Sequence, residues 1–447
     1  MKLHARFSRI AFALQSIAGR VRLCPNPVRQ TILCAGLIAL FPTALLAEVQ
    51  ANSCSAIIER FEYEGNKVTR AEFLLQRSGL VPGQRLDSVA IERARQKIYD
   101  TGLFRKVEIR VADLCQARTS VTIRVRERYY QLFYPRLSRN ADGVIEKGWK
   151  YQGNNLFGAD HTLEATISER DYQSGQTTQE TKFNYDWPML ETPYDLRFSL
   201  SRTSSLVTED EDITSFSDSF SFLVGRDWLS NPLGHPITVL AKMSSQHRYW
   251  DEDAPAGTLG LGNYSTLGLR LEYDDIHEEK YRRYGRFFAM DFNRGIYELG
   301  SDIDAAHFSL EARLYYRLND FDNLNSRYLL SLASEDVFDS PNYSFGGAYT
   351  LRGIDSDEVT GNGLWQVNIE YLKGFASMRN FRLALFTDIG NVFDKYNQFN
   401  DHGWHQTVGL GLRWKIQSFV DTTLVIDYAH DPDSGFTKIY GGTSLIF

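Results

Sequence analysis

An arginine followed by a glycine is the residue best suited to specific binding in this sequence of 447 residues. Arg352 lies in the run Phe345-Gly346-Gly347-Ala348-Tyr349-Thr350-Leu351-Arg352-Gly353-Ile354. A guanidinium offers five donors in a planar fork that matches carboxylates, and glycines permit tight backbone packing and positive φ. The run falls in a connection predicted from about 335 to 361. Connections of this length are usually functional or disordered.

Two acidic residues downstream are candidates to bind this arginine. In its predicted strand, Glu370 falls on the alternate positions that carry polar residues. Asp388 falls on the alternate positions opposite to those of the apolar Leu383 and Leu385. Because successive strand residues point to opposite faces of a sheet, both acids should face the interior. We therefore predict that the loop folds inward and that Arg352 pairs with Glu370 and Asp388. The alternative is an exposed loop arginine and two unrelated interior acids.

Known catalytic and ligand-binding motifs are missing from the sequence. We find no GxSxG nucleophile elbow, no P-loop and no HExxH, and no CxxC or Cys/His cluster with metal-ligand spacing. The net charge of −7 argues against nucleic acid as a partner. We therefore expect no catalytic residue, no cofactor and no metal.

The elements that must position these residues are predicted to be strands of a barrel. From Tyr129 to Phe447, short segments alternate between apolar and polar residues, as in Val408-Leu410-Leu412-Trp414. At roughly 20 residues per strand and connection, this region gives about 16 antiparallel strands, each long enough for an outer-membrane barrel. An even number allows closure without unpaired backbone groups in lipid. A soluble β-sandwich or propeller is the alternative.

Both ends of the sequence are typical of an exported outer-membrane protein. Residues 1–47 join a basic region to an uncharged stretch and a cleavage site near Ala47, which predicts a signal peptide. A membrane anchor is the alternative, but a span needs roughly 18 or more apolar residues. At the other end, Phe447 completes an alternating strand and resembles the C-terminal signal for outer-membrane assembly.

Residues 53–128 predict a small α+β domain with the order β-α-α-β-β. Thr69 and Glu72 match a capping box for the first helix, and Asp87 caps the second. Both helices should cover one face of a three-stranded sheet. Cys54 and Cys115 lie at one end of that sheet and should form a disulfide in an oxidising compartment, with two unpaired thiols as the alternative.

This segment resembles a POTRA domain, the polypeptide-transport-associated module, most specifically in the run Ile98-Tyr99-Asp100-Thr101-Gly102-Leu103-Phe104. A sheet covered on one face leaves an edge strand, and the unpaired backbone groups of such an edge can accept an extended chain. We expect the client-binding edge to be formed by Lys106, Val107, Glu108, Ile109, Arg110 and Val111.

Together with the loop motif, the sequence resembles the BamA/TamA superfamily, also called the bacterial surface antigen family. Leu351-Arg352-Gly353-Ile354 matches the family's (V/L)RG(F/Y) motif except at Ile354, where the family has an aromatic residue. Glu370 and Asp388 match its acidic partners, and Asn154-Asn155-Leu156-Phe157-Gly158 resembles an early-strand segment. The resemblance implies a 16-stranded transmembrane barrel with a long sixth loop inside it, preceded by one POTRA domain.

The resemblance also implies a non-enzymatic role in the Gram-negative outer membrane, with the POTRA domain in the periplasm. The expected partners are unfolded outer-membrane or secreted polypeptides, outer-membrane lipid and a periplasmic accessory protein. We expect an assembly factor that templates an incoming strand at a barrel seam. A two-partner-type secretion translocator, a passive surface-antigen barrel and, least of all, a lipid-active enzyme are the alternatives.

Overall fold

The structure is a computed structural model that describes most of the chain from residue 54 to residue 443. The described part omits residues 140–144, 172–176, 190–192, 209–212, 231–235, 251–259, 280–281, 348–349, 355–358, 396–397, 399–402 and 421. The predicted signal peptide, residues 1–47, and the predicted assembly signal, Phe447, lie outside the described residues.

The N-terminal domain is a four-stranded sheet with two helices on one face. Its elements are β1 (Ala56–Glu64), α1 (Ala71–Ser78), β2 (Arg85–Leu86), α2 (Ser88–Asp100), β3 (Phe104–Val111) and β4 (Arg118–Glu127). The strand order is β2-β1-β4-β3, with β1 parallel to β4. The sequence predicted three strands because β2, with two residues, is too short to show a period.

No helix in the described ranges is long and apolar enough to span a membrane.

The ends of the two helices differ in how their first amides are satisfied. Asp87 caps α2, as predicted, because its carboxylate accepts a hydrogen bond from the amide of Ala90 at 2.7 Å. The predicted capping box of α1 is wrong. Arg70 is the N-cap residue and makes no side-chain cap bond, and the Thr69 hydroxyl is used in another contact, described below.

A disulfide between Cys54 and Cys115 joins the start of β1 to the segment after β3. The two cysteines are separated by 61 positions along the chain. A crosslink of this separation restricts the unfolded chain and so stabilises the folded domain.

The rest of the chain forms one antiparallel sheet of 16 strands. The strands are β5 (Gln131–Arg139), β6 (Ile145–Leu156), β7 (His161–Asp171), β8 (Thr177–Trp187), β9 (Asp195–Thr208), β10 (Ile213–Ser230), β11 (Pro236–Trp250), β12 (Gly262–Glu278), β13 (Arg283–Gly295), β14 (Ala306–Arg317), β15 (Asn323–Ala333), β18 (Gly363–Gly374), β19 (Phe381–Phe393), β20 (His405–Lys415), β21 (Thr423–His430) and β22 (Thr437–Thr443). A short hairpin of β16 (Tyr343–Phe345) and β17 (Val359–Gly361) interrupts them, and a 3-10 helix (Tyr297–Leu299) follows β13.

Side chains alternate between the two faces of this sheet, as the sequence predicted. Leu410 and Ile426 are 57% and 55% exposed, although both are large and apolar, whereas Asp427 on the other parity is fully buried. An apolar outer face and a polar inner face are the pattern of a membrane barrel. The wall therefore presents apolar side chains outwards and encloses a polar interior.

The sheet curls but is not closed by hydrogen bonds within the described residues. Lys415 and Glu278 form an ion pair at 2.9 Å across the interior, although their strands β20 and β12 lie six positions apart in the sheet. The first and last strands, β5 and β22, are in contact, yet no ladder joins the described parts of these strands. We call this junction the seam. Just before β5, the Tyr129 amide donates to the carbonyl of Ser418, in the turn between β20 and β21, at 2.8 Å.

The N-terminal domain covers one mouth of the barrel, which we call the domain end. Asp100 at the end of α2 accepts hydrogen bonds from His277 and from the amide of Glu278, both at 2.8 Å. Across the mouth, Arg77 of α1 pairs with Asp160 in the turn after β6 at 3.3 Å. The space between the domain and the barrel has a volume of about 610 Å³. The charged residues that line this space include Asp100, Arg128, Asp186, Arg197, Glu278 and Lys415.

A buried hydroxyl group also links the domain to the barrel. The Thr69 hydroxyl accepts a hydrogen bond from the Asn155 amide at 2.8 Å and shares a second one with the Tyr130 hydroxyl at 3.1 Å. Next to it, the Arg70 amide donates to the carbonyl of Gly158 at 3.0 Å. A Cβ at Gly158 would lie 2.3 Å from the carbonyl oxygen of Val68, so this contact requires glycine.

Replacing Thr69 with valine should loosen the domain from the barrel. The substitution keeps the shape but removes the hydroxyl that accepts from the buried Asn155 amide and bonds to Tyr130, which costs about 1–3 kcal/mol. Hydrogen exchange should therefore become faster, by about 5- to 100-fold, in residues 68–74 and 154–160. Thr122→Val, which removes a partly exposed hydroxyl of the same domain, is the matched control. Equal exchange in the two variants would contradict this assignment.

Candidate functional site

The long connection between β15 and β18 folds back into the barrel. It runs from Ser334 to Asn362 and is the sixth connection at the end opposite the N-terminal domain, which we call the loop end. Leu351 is fully buried in an apolar cluster with Phe345, Ile354, Leu364 and Val392. Ile354, at the position where the family motif has an aromatic residue, thus serves as a core residue that fixes the motif.

Arg352 lies at the centre of the barrel interior with no exposed surface. Its Nε and Nη2 donate to the two carboxylate oxygens of Asp388 at 2.7 and 2.8 Å, and its backbone amide donates to the same carboxylate at 3.2 Å. Its Nη1 donates to Asp427 at 2.9 Å and lies 3.4 Å from Glu370. The structure thus brings together Arg352, Glu370 and Asp388, the three residues singled out by the sequence.

A second arginine completes the network. Arg413 on β20 donates to Glu370 through Nε at 3.3 Å and through Nη2, and it also donates to Asp427 through Nη1 and Nη2. Two guanidinium groups therefore face three carboxylates. We call these five residues, Arg352, Glu370, Asp388, Arg413 and Asp427, the arginine clasp.

Small residues and one aromatic ring make room for the clasp. A Cβ at Gly411 would lie 2.0 Å from a carboxylate oxygen of Asp427, and a Cβ at Gly409 would lie 2.2 Å from the Phe386 ring. The Arg352 guanidinium carbon lies 3.5 Å from the centre of that ring. A cation held over an aromatic face is attracted by the electron-rich ring. The two glycines of β20 thus allow Arg352 to be held by charge and by an aromatic face together.

The backbone of the motif is held by its own glycines and by the wall. Gly346, Gly347 and Gly353 have φ values of 120°, 91° and 102°, which side chains other than glycine rarely adopt. Asn368 of β18 donates to the carbonyl of Thr350 at 2.8 Å and to Asp388 at 3.0 Å. The wall therefore binds the main chain of the motif as well as its arginine.

The geometry of the clasp indicates a structural role, in which it holds the loop to the wall, rather than a reaction centre. Removing one partner of a buried ion pair leaves an uncompensated charge, and this costs about 3–5 kcal/mol. The three carboxylates are almost fully buried and are already occupied by guanidinium groups. Within the described ranges, no group of three or more His, Cys, Asp or Glu residues could hold a metal ion. The arrangement can bind a loop to four neighbouring strands.

Sequence reasoning missed Arg413 and Asp427, although the necessary signal was present. The parity argument that picked Asp388 applies equally to these residues, since Leu412 and Ile426 beside them point outwards. The sequence does not show which of the many inward-facing charges on 16 strands meet. That choice depends on the depth of each residue along its strand and on the curl of the sheet.

The predicted client-binding segment, Lys106 to Val111, lies in β3 at an edge of the domain's sheet. The amide of Ala112, just after β3, donates to the carbonyl of Ser120 in β4. Because amides alternate in direction along a strand, those of Glu108 and Arg110 also point towards β4. The outward amides of this edge therefore belong to Val107, Ile109 and Val111.

Replacing Arg352 with alanine should destabilise the barrel strongly. The substitution leaves Asp388 without its paired donors, so the free energy of unfolding should fall by about 3–5 kcal/mol. Arg352→Lys should have a smaller effect, because an ammonium keeps the charge but cannot form the paired bonds. In gel electrophoresis, the compact folded barrel migrates faster than the unfolded protein. The measurement is the temperature or urea concentration at which the faster band converts to the slower one.

The control for this prediction is Arg202→Ala, which removes an ion pair with Asp218 on an exposed part of the wall. Exposed pairs contribute within about 1 kcal/mol. If Arg352→Ala and Arg202→Ala unfold alike, the clasp does not stabilise the barrel.

Comparison with known families matches both parts of the chain. Residues 155–429 match the Omp85 superfamily domain, and residues 56–128 match the POTRA model described as a surface antigen variable number repeat. The Omp85 match contains all five residues of the arginine clasp, and the POTRA match contains the edge strand β3.

Individual relatives are distant. The outer membrane protein assembly factor BamA of Nitratidesulfovibrio vulgaris is 22% identical over 397 residues, covering 80% of this chain and 47% of that protein. The chain therefore spans about half the length of this curated relative.

Solved structures show a similar fold at 14% identity in each case. BamA from Haemophilus ducreyi lacking POTRA domains 1–3 has a TM-score of 0.53, with 87% of this chain and 85% of that chain covered. CdiB from Acinetobacter baumannii has a TM-score of 0.60, with 86% and 73% covered, and CdiB from Escherichia coli has 0.60, with 86% and 76%. The family matches, which extend over more than half of the chain, show that this protein belongs to the Omp85 superfamily and carries one POTRA domain before its 16-stranded sheet.

Proposed function

We propose that the protein is an assembly factor that inserts outer-membrane proteins by pairing an incoming strand with the seam of its own barrel. The observation that carries this proposal is the seam itself, where β5 and β22 touch without a ladder between their described residues. Unpaired backbone groups are costly in lipid, so an edge of this kind gains free energy by pairing with another strand. Such templating uses no catalytic residue and no cofactor.

The proposed location is the Gram-negative outer membrane, with the POTRA domain in the periplasm. The apolar outer face of the wall supports contact with outer-membrane lipid. The relatives named above support it as well, since one is described as an outer membrane protein assembly factor. The proposed partners are unfolded outer-membrane polypeptides and a periplasmic accessory protein.

The exposed edge of the POTRA domain is the proposed first contact for a client. Strand β3 pairs only with β4 among the described strands, so its outward amides can accept an extended chain. Its solvent side carries Lys106, Glu108 and Arg110, where hydrogen bonds from Lys106 and then Arg110 lower the pKa of the Glu108 carboxyl. Charged side chains on an edge discourage irreversible aggregation. Binding there should therefore be transient and largely independent of client sequence.

Secretion of one partner polypeptide is the second candidate function. The observation in its favour is that both CdiB structures have a higher TM-score than the BamA structure. The arginine clasp and the POTRA domain argue against free passage, because they occupy the interior and the domain end of the barrel. We therefore favour assembly at the seam.

Depletion of the protein in its host should lower the amount of several outer-membrane barrel proteins while secreted proteins remain. The reason is that a templating edge serves many clients with similar strands. The measurement is quantitative comparison of the outer-membrane and secreted proteomes before and after depletion, with the wild-type gene as the rescue control. Loss of a single exoprotein would instead support secretion, and no loss would support a passive barrel.

Replacing Val111 with proline should weaken client capture by the POTRA edge. Val111 has an outward amide, and losing one backbone hydrogen bond should lower affinity about 2- to 10-fold. The probe is a labelled peptide with the sequence of residues 437–447, which includes that of strand β22. Its binding to the full protein in detergent micelles is measured by fluorescence polarisation.

Val111→Ala is the matched control for this experiment, because it shortens the side chain and keeps the amide. Near-UV circular dichroism should show that both variants keep the fold. If Val111→Pro binds the peptide as tightly as Val111→Ala, the edge is not the capture site.

A further inference from the structure

In the part of the chain that the structure describes, the last strand of the barrel has a ladder on one side. Strand β22 pairs with β21 from Thr437 to Thr443, and the described residues show no ladder on its other side. Two glycines, Gly441 and Gly442, lie next to each other within it, and a Cβ at Gly441 would meet nothing within 4 Å. Glycines weaken a strand because they pack no side chain and have more conformational freedom. Other contacts to β22 therefore have a large influence on its position.

One such contact comes from the loop motif. The backbone amide of Gly353, next to Arg352, donates a hydrogen bond to the Tyr440 hydroxyl at 2.9 Å. Tyr440 points inwards, opposite to the exposed Ile439, and is 6% exposed. It packs with Phe386 and Ala429 in one small cluster. The motif and the last strand thus meet directly inside the barrel.

This bond belongs to the same assembly as the arginine clasp. Phe386 contacts Tyr440 on one side, and the Arg352 guanidinium lies over the Phe386 ring. Gly353 lies between Arg352, which the clasp holds, and Ile354, whose carbonyl accepts a hydrogen bond from within the motif at 3.1 Å. Its amide can therefore not turn easily to a new partner. If β22 moves away from the interior, this buried amide loses the Tyr440 oxygen.

We propose that Tyr440 is a positioning residue that couples the loop motif to the last strand, so that opening of the seam and release of the loop favour each other. This inference rests on the proposed function, because it describes how the same seam is controlled. Coupling between two sites is reciprocal. A change in the motif must therefore alter β22, and a change in β22 must alter the motif.

The test is hydrogen exchange measured by mass spectrometry on the full protein in detergent micelles. Tyr440→Phe keeps the ring and removes the hydroxyl oxygen. Exchange should become about 5- to 100-fold faster both in residues 437–443 and in residues 350–354, because one buried amide is left without a partner. The reciprocal variant, Arg352→Lys, should also make residues 437–443 exchange faster.

Tyr264→Phe is the matched control. Tyr264 is a buried tyrosine on β12 whose hydroxyl donates to the carbonyl of Ala305 at 3.0 Å, in a cluster that contains no residue of β22. Its loss should leave residues 437–443 unchanged. The coupling is overturned if Tyr440→Phe affects only one of the two segments, or if Tyr264→Phe affects residues 437–443 equally.

A double variant separates coupling from a general loss of stability. If Tyr440 acts through the motif, Tyr440→Phe should add little to the exchange already caused in residues 437–443 by Arg352→Lys. The coupling is overturned if the effects of Tyr440→Phe and Arg352→Lys on this exchange are fully additive and the two variants shift the temperature of gel-band conversion equally.

The failure of this inference can be distinguished from failure of the proposed function. Barrel assembly in cells carrying Tyr440→Phe should change together with the exchange of residues 437–443. If Tyr440→Phe changes the exchange of residues 437–443 but client levels stay normal after full depletion, the coupling is retained and the assembly function is rejected. If Tyr440→Phe leaves this exchange unchanged but clients are lost on depletion, the function is retained and the coupling is rejected.

Discussion

The buried pairing of two guanidinium groups with three carboxylates is the interaction on which the rest of the barrel depends. Charges this far from water are stable only when each has a partner, so the position of Arg352 is determined by Asp388, Asp427 and Glu370 together. The loop that carries Arg352 must then lie inside the barrel. The same pairing joins the strands β18, β19, β20 and β21 through their inward side chains. Gly411 is needed beside it because no larger residue leaves room for the Asp427 carboxylate.

The sequence predicts the wall of the barrel well because strand parity is a local property. Each pair of neighbouring residues shows which side chain faces the interior, and so Glu370 and Asp388 could be identified without a structure. Features that depend on distant residues could not be found in this way. Thr69 has the pattern of a helix cap, yet its hydroxyl bonds to Asn155 and Tyr130 of the barrel. The partners Arg413 and Asp427 were missed for the same reason.

The N-terminal domain and the clasp restrict the interior from its two ends. At the domain end, Asp100 and Arg77 attach the domain to opposite sides of the mouth. At the loop end, the apolar cluster around Leu351 holds the motif in the interior. A polypeptide crossing through the interior would have to displace buried ion pairs and the domain contacts as well.

In the proposed function, the seam is the part of the wall that admits another strand. Elsewhere each strand has ladders on both sides, and separating two of them exposes a full row of backbone groups to lipid. The described parts of β5 and β22 show no such ladder, and the hydrogen bond from Gly353 to Tyr440 links the last strand to the arginine clasp. This bond joins the arginine clasp to the last strand, so under the proposed coupling a change at either of them also alters the other.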